Sequence, residues 1–330
     1  MLYDARGNRY VVSSPEHLRR LGVDVPASAA QAAATREQWT QAAVAALCDW
    51  PEGARPAGAK AHRSDGLLVG PFQAQAPFDL LIVNTDGSLA ERSGNGLTIF
   101  SQALSDQGQV SGGQAFTLNV HHDKTDALSP VPVSVEPASV EGVPGFWLDL
   151  GAPAFGPQAV GAEQVQAATF NGHAVAAVAS LAAIDEHWQR SVFVRIGNPH
   201  CVTWLDSAEA LPSMAQLRAP ALDAALTAIA YSRSGGQGKG LPCPAGINLQ
   251  WAAWRGPQHL EARVFERGED ATESSGTSAT AVACAAWRVG LVQAGQVRVQ
   301  MPGGTAPLRL QEQQGELVAV QLFGTASLQP

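Results

Sequence analysis

Two segments of this chain share one layout. Asn84-Thr-Asp-Gly-Ser leads to Ser93-Gly-Asn-Gly, and Glu266-Arg-Gly leads to Ser275-Gly-Thr-Ser. In each, the opening polar residue stands nine positions before its serine (93−84 and 275−266). An Ala- or Leu-containing apolar run follows each Ser-Gly at once and reads as a helix. Each half also carries an earlier Gly-Asn, at Gly7-Asn8 and Gly197-Asn198, in the same order relative to its serine. One Gly-Asn means only a turn. Four matches in order point to a duplicated domain, with a serine poised at a helix N-terminus in each copy.

The rest of the chain is compatible with two such copies. Its 330 residues fit two domains of ordinary size, and 45% hydrophobic content supports buried cores. Short apolar strands are expected around Tyr10, 67–69, 80–83, 116–120, 131–135, 192–196, 249–254, 261–265, 296–300 and 317–322. Helices are expected at 29–47, with Ser28 as N-cap and Gln31 as its capping-box partner, at 96–104 and at 277–289. A broadly helical stretch at 208–230 is broken by Pro212 and Pro220, and the strand at 146–150 reads as the opening of the second half. This is a mixed strand and helix chain without the βαβ series of a dinucleotide fold.

Charge and composition exclude several classes. A net charge of −8 with scattered arginines argues against a nucleic-acid partner. The longest apolar stretch, near 174–184, is too short to span a bilayer, and no signal peptide is read at Met-Leu-Tyr-Asp-Ala, so a cytoplasmic location is expected. The four cysteines show no zinc spacing and read as reduced thiols. His121 and His122 are adjacent in an expected strand and would face opposite ways, a poor metal pair. The Gly235–Gly240 run lacks P-loop spacing.

A helix N-terminus offers unpaired N–H groups and partial positive charge. Gly94-Asn95 and Gly276-Thr277 would present such donors with little steric cover, suited to a carboxylate. Ordinary capping by Ser93 and Ser275 is the competing explanation. Glu266 could accept from an ammonium group and Arg267 could fork onto a carboxylate, or the two form a surface ion pair. Asn84, Asn198 and Asn248 are amides in turn-like settings, where each taken singly forms a turn, and His200 could tune a neighbour's protonation or simply cap a core strand.

Taken together these motifs resemble the two signatures of the diaminopimelate epimerases, Asn-x-Asp-Gly-Ser…Cys-Gly-Asn-Gly and Glu-Arg-Gly…Cys-Gly-Thr. Gly7-Asn8-x-Tyr-Val-Val, Ser64-Asp-Gly-Leu-Leu-Val, Gly197-Asn-Pro-His-Cys-Val, Gly246-Ile-Asn248 and Pro302-Gly-Gly also fit, in order along nearly the whole chain. The resemblance implies an α/β fold of two pseudo-symmetric domains, each a curved barrel-like sheet around a central helix. They would comprise residues 1–140, joined by the C-terminal strand 323–330, and residues 141–322, with the active site in the cleft between them. It further implies inversion at an amino-acid α-carbon without cofactor or metal, as in the conversion of LL- to meso-diaminopimelate for lysine and cell-wall precursors. By the same resemblance Gly94, Asn95, Gly276 and Thr277 would hold the α-carboxylate. Glu266 would take the α-amino group, and Asn8, Asn84, Asn198, Asn248 and Arg267 would grip the rest. His200 and Glu266 match positions thought to tune the catalytic pair. A small amino-acid substrate is the implied partner, and a homodimer is an open assembly state.

The chain departs from the family at the two reacting positions, where Ser93 and Ser275 replace cysteines. A thiol has a reference pKa near 8.5, whereas a serine hydroxyl ionises only with strong help. Four accounts follow. One is an isomerase using other bases, with Glu269, Asp270 and Glu273 close to Ser275 in sequence. The related phenazine-biosynthesis isomerases use a carboxylate, and Gly268-Glu-Asp-Ala-Thr is similar to their Glu-Asp-Pro-Ala-Thr-Gly. Another is a one-base dehydratase. A third is a non-catalytic amino-acid-binding protein, and a fourth an engineered Cys→Ser pair that traps substrate.

Overall fold

The structure, a computed structural model, describes residues 1–56, 59–110, 113–124 and 128–330. It is a mixed α/β fold, mostly sheet, that separates into two compact units, Met1–Asp149 with Phe323–Pro330, and Leu150–Leu322.

In the first unit, β1 (Leu2–Ala5) and β2 (Asn8–Ser13) form a hairpin, with Gly7 at φ +84° supplying a left-handed turn position. β2 runs parallel to β3 (Gly66–Val69), and β3 is antiparallel to β4 (Phe78–Asn84). One end of β4 pairs with the short β5 (Leu89–Ala90) and the other runs parallel to β6 (Phe116–Val120). β7 (Val131–Val140) and β8 (Val143–Asp149) continue as antiparallel neighbours. The strand at 146–150, expected to open the second half, is therefore the return arm of a hairpin in the first. Its partner β7 runs five residues past the expected 131–135, and Gly142 at φ +82° closes the turn. The chain's last strand, Ser327–Leu328, comes back to pair with β1.

Sheet alternation divides this unit into two cores. Val11, Leu67, Val69, Leu81 and Val83 face outward, under α1 (Pro15–Arg20), α2 (Ala29–Ala34) and α3 (Thr40–Leu47). The expected single helix at 29–47 is thus two helices. Thr35 ends the first, its hydroxyl bonding the Gln31 carbonyl, and the chain then turns so that buried Trp39 can donate its indole N–H to the Ala32 carbonyl. Ser28 caps α2 through the Gln31 N–H. The inner strand face meets α4 (Gly94–Asp106), which contacts β1, β2 and β8 and is buried over most of its length. A helix buried on nearly every side is a central one.

The second unit repeats this plan. β9 (Ala154–Phe155), β10 (Gln166–Phe170) and β11 (His173–Ala177) flank β12 (Ser191–Ile196), with α5 (Pro157–Val160) and α6 (Ala179–Ala182) between them in the chain. β12 forms a hairpin with β13 (Asn198–Trp204), which runs parallel to β14 (Asn248–Gly256). β15 (His259–Glu266) is antiparallel to β14, pairs with the short β16 (Asp270–Thr272), and runs parallel to β17 (Gly295–Met301). β18 (Gly304–Gln313) and β19 (Glu316–Gly324) complete the order. Hairpin, parallel neighbour, antiparallel neighbour, short strand and parallel neighbour follow one another as in the first unit, which makes the two pseudo-symmetric. Outward residues Phe193, Cys201, Leu249, Trp251 and Phe265 share a core with α7 (Met214–Leu217) and α8 (Pro220–Ala230). The central element is α9 (Gly276–Arg288), whose buried Ala, Ser, Thr and Cys side chains let strands β12 to β15, β17 and β18 approach closely. Among the described residues, no helix is long and apolar enough to cross a membrane.

Candidate active site

The duplicated serines occupy equivalent places. Ser93 is the N-cap of α4 and accepts from the Gly96 N–H at 3.0 Å; Ser275 is the N-cap of α9 and accepts from the Ser278 N–H at 3.3 Å. The capping explanation is therefore correct for both side chains. It does not use up the helix ends, because the backbone N–H groups of Gly94 and Asn95, and of Gly276 and Thr277, take no partner among the described residues. Each unit thus presents an anion-binding helix N-terminus. A side chain at Gly276 would meet Leu322 at 2.6 Å, which explains the glycine there.

What lies behind each serine differs. In the second unit, the Ser275 hydroxyl donates to Glu266 Oε1 at 2.7 Å and the Thr272 hydroxyl donates to Oε2 at 2.8 Å. Burial pushes the Glu266 carboxyl up to about 7; the charge of Glu269 adds to this, and the two hydroxyl bonds pull the other way. In the first unit, the oxygen beside Ser93 Oγ is the phenol of Tyr10, at 3.5 Å. The position equivalent to Glu266 is Asn84, which ends β4 as Glu266 ends β15. Asn84 gives its amide to Ser88 Oγ at 2.9 Å and its backbone to the same turn, so the turn role accounts for it.

Asn8 and Asn198 open the equivalent strands β2 and β13, each after a left-handed glycine. Asn8 Oδ1 is buried without a partner among the described residues, whereas Asn198 is exposed. Asn248, level with His200 across β13 and β14, accepts the Arg267 backbone N–H at 2.9 Å. Arg267 is exposed and holds the Ala245 carbonyl through Nη1 at 2.7 Å. It is therefore not simply an ion-pair partner of Glu266. His200 is fully buried on the inner face of β13; burial, with the Arg267 and Arg195 charges, pushes its imidazole down to about 3 and keeps it neutral.

Other groups weighed from sequence lie elsewhere. Glu273 is exposed and pairs with Arg218 at 3.4 Å; Asp270 accepts from Tyr231. The four cysteines are buried free thiols, and burial pushes Cys201 up to about 12 and Cys243 up to about 11, so none acts as a thiolate at neutral pH. Among the described residues, no His, Cys, Asp and Glu cluster forms a metal site. Tyr10 and Thr272 escaped the sequence reading. Tyr10 stands two residues after Asn8, as His200 stands two after Asn198, and that shared offset marks it.

Known proteins resemble this chain in sequence and in fold. The sequence model of the diaminopimelate epimerase family matches residues 192–328. Diaminopimelate epimerase 2 of Nostoc sp. is 30% identical over 256 residues, 76% of this chain and 75% of its own. The diaminopimelate epimerase of Desulfitobacterium hafniense is 28% identical over 272 residues, covering 80% and 82%. Among solved structures, a hydroxyproline epimerase from Agrobacterium vitis superposes with TM-score 0.59 at 13% identity, over 100% of this chain and 90% of its own. A Bacillus anthracis phenazine biosynthesis protein of the PhzF family gives 0.58 at 10% identity, over 98% and 94%. These two show the shared fold. With its paired Ser-Gly helix ends, its repeated strand order and a relative 30% identical over 76% of this chain and 75% of its own, the chain belongs to the diaminopimelate epimerase family.

Proposed function

We propose that this protein is an isomerase that removes and returns the proton on the carbon next to the carboxylate of a small amino acid, with Ser275 and Glu266 as its proton-handling pair. The supporting observation is the 2.7 Å hydrogen bond from Ser275 to a half-buried carboxyl raised to about 7. A general base poised near the working pH is the form proton abstraction needs. In the forward step the substrate C–H bond breaks as its proton passes to Ser275 Oγ. The hydroxyl's own proton passes to Glu266, so no free alkoxide forms. The electron pair spreads into the carboxylate, and the Gly276 and Thr277 N–H groups at the α9 terminus stabilise the added charge. Return of a proton completes the isomerisation. No cofactor enters this scheme. Diaminopimelate, the substrate in the names of the relatives, is the first candidate, with a place in lysine and cell-wall precursor synthesis.

The difference between the two serines favours a second form of the same chemistry. Ser93 has a phenol beside it where Ser275 has a carboxylate. Abstraction and return through Ser275 alone would wash out the α-proton faster than the centre inverts. The test is incubation with diaminopimelate and a panel of amino acids in deuterated buffer, following mass and stereochemistry together. Deuterium entry supports the isomerase, and its ratio to inversion distinguishes one base from two. Thermal stabilisation by a ligand that gains no deuterium would replace the isomerase with a binding protein.

A further inference from the structure

Behind the Ser275 helix end lies a buried polar chain that the proposed proton transfer does not use. Gln250 sits on β14, on the strand face opposite outward Leu249 and Trp251. Its Nε2 lies 3.0 Å from His200 Nδ1 and 3.0 Å from Ser278 Oγ. Gln250, His200 and Ser278 are all fully buried. His200 Nε2 and Gln250 Oε1 are buried without a partner among the described residues.

The arrangement dictates proton positions. An amide nitrogen only donates, so Nδ1 of His200 must be the accepting nitrogen, and the proton of the neutral ring then resides on Nε2. The amide orientation follows from its neighbours. As placed, both amide N–H groups have acceptors and one carbonyl oxygen lacks a donor. Turned over, the amide would bury two donors without acceptors, and an orphaned N–H is rarer than an under-satisfied carbonyl. The remaining loose end is the Nε2–H, a fully desolvated donor.

We propose that Gln250 is a positioning residue that fixes neutral His200 in the Nε2–H tautomer, making His200 a fixed hydrogen-bond donor to a carboxylate-bearing ligand and not a base. The donor role rests on the isomerase reading above; the tautomer does not. His200 would then act by stabilising negative charge, as a neutral imidazole can, while Glu266 handles the proton.

The experiment is long-range nitrogen–proton NMR on the full chain with labelled histidine, from about pH 5 to about pH 8, where an ordinary histidine would titrate. The expected His200 pattern is protonated Nε2 and unprotonated Nδ1, unchanged across the range. A proton on Nδ1, or a titrating ring, in the unsubstituted protein overturns the assignment without any variant. Gln250→Glu offers an acceptor to Nδ1 and should move the proton there, with about a tenfold loss of exchange rate, the size of one hydrogen bond. An unchanged spectrum in a folded Gln250→Glu protein contradicts the role of Gln250. LL-diaminopimelate, its binding followed separately by thermal shift, should displace the Nε2 signal more than the Nδ1 signal. A bound probe that leaves Nε2 unmoved removes the donor role. Absence of any thermal shift counts against the substrate reading and leaves the tautomer result standing.

Discussion

The Ser275 hydroxyl donates to Glu266 Oε1 across 2.7 Å, so the N-cap of the second unit's central helix is tied to a carboxylate nine residues upstream. In the first unit Asn84 takes the equivalent strand end and bonds within its own turn. The two units share one backbone plan and differ in what stands behind the serine.

Glu266 imposes a pH dependence on stability. Its carboxyl lies at about 7 in the folded chain against the ordinary value of 4.5. Below the ordinary value both states hold the proton. Between the two values only the folded state does, so folding weakens as pH rises through this window and levels off above about 7. The whole effect is about 3 kcal/mol at 1.36 kcal/mol per pH unit, as an upper figure. Glu266→Gln removes it. Thermal melts from acid to neutral pH should show the unsubstituted protein losing stability relative to the Gln variant. Parallel curves would contradict a raised Glu266.

Thr272→Val keeps the shape of the side chain and deletes the hydroxyl that donates to Oε2 at 2.8 Å. That bond favours the ionised form, so its loss should move the Glu266 midpoint further up, by somewhat under one pH unit for about 1 kcal/mol. The pH profile of α-proton exchange is the readout; a midpoint that stays or falls would contradict the assigned role.

Restoring sulfur at both serines tests whether acidity limits the reaction. Ser93→Cys with Ser275→Cys places thiols at helix N-termini, where thiolate is favoured. The α-proton exchange rate should rise by roughly 10² as better-matched proton carriers are installed. A double variant no faster than the unsubstituted chain would mean that the serines are not the proton carriers.

The C-terminal segment is predicted to be a structural part of the first unit. A Cβ at Gly324 would run into the Thr98 side chain on α4. Gly324→Ala should destabilise by about 1 to 3 kcal/mol, the range for overpacking a filled site. Urea melts would register it, and a neutral substitution would argue that residues 323–330 are not packed on α4.

Much of this architecture was legible because it rests on local patterns. Short apolar runs mark β2 to β4, alternating ones mark β14 and β15, and the Ser-Gly steps mark where α4 and α9 begin. Both helices start earlier than expected from apolar content, at Gly94 and Gly276. Glycine and asparagine are poor helix interiors but serve well at a first turn where close approach matters more than propensity. The hairpin of β10 and β11 lacked a clear alternating signal and was not foreseen. At the candidate site the sequence named residues but not their partners. Glu266 looked like an ammonium acceptor, yet its oxygens receive Ser275 and Thr272; Gln250 carried no motif and becomes visible only when β13 and β14 align it with His200. Tyr10 and Ser93 are brought together from positions 83 residues apart, a pairing set by the sheet and not by spacing.

The most direct test of the account is deuterium incorporation at the α-carbon of diaminopimelate as a function of pH, in the unsubstituted protein and in Glu266→Gln. The account predicts incorporation that rises with ionisation of Glu266 through about pH 7 and is lost in the Gln variant. Incorporation that persists in Glu266→Gln, or is absent from the unsubstituted protein across diaminopimelate and the amino-acid panel, would contradict it.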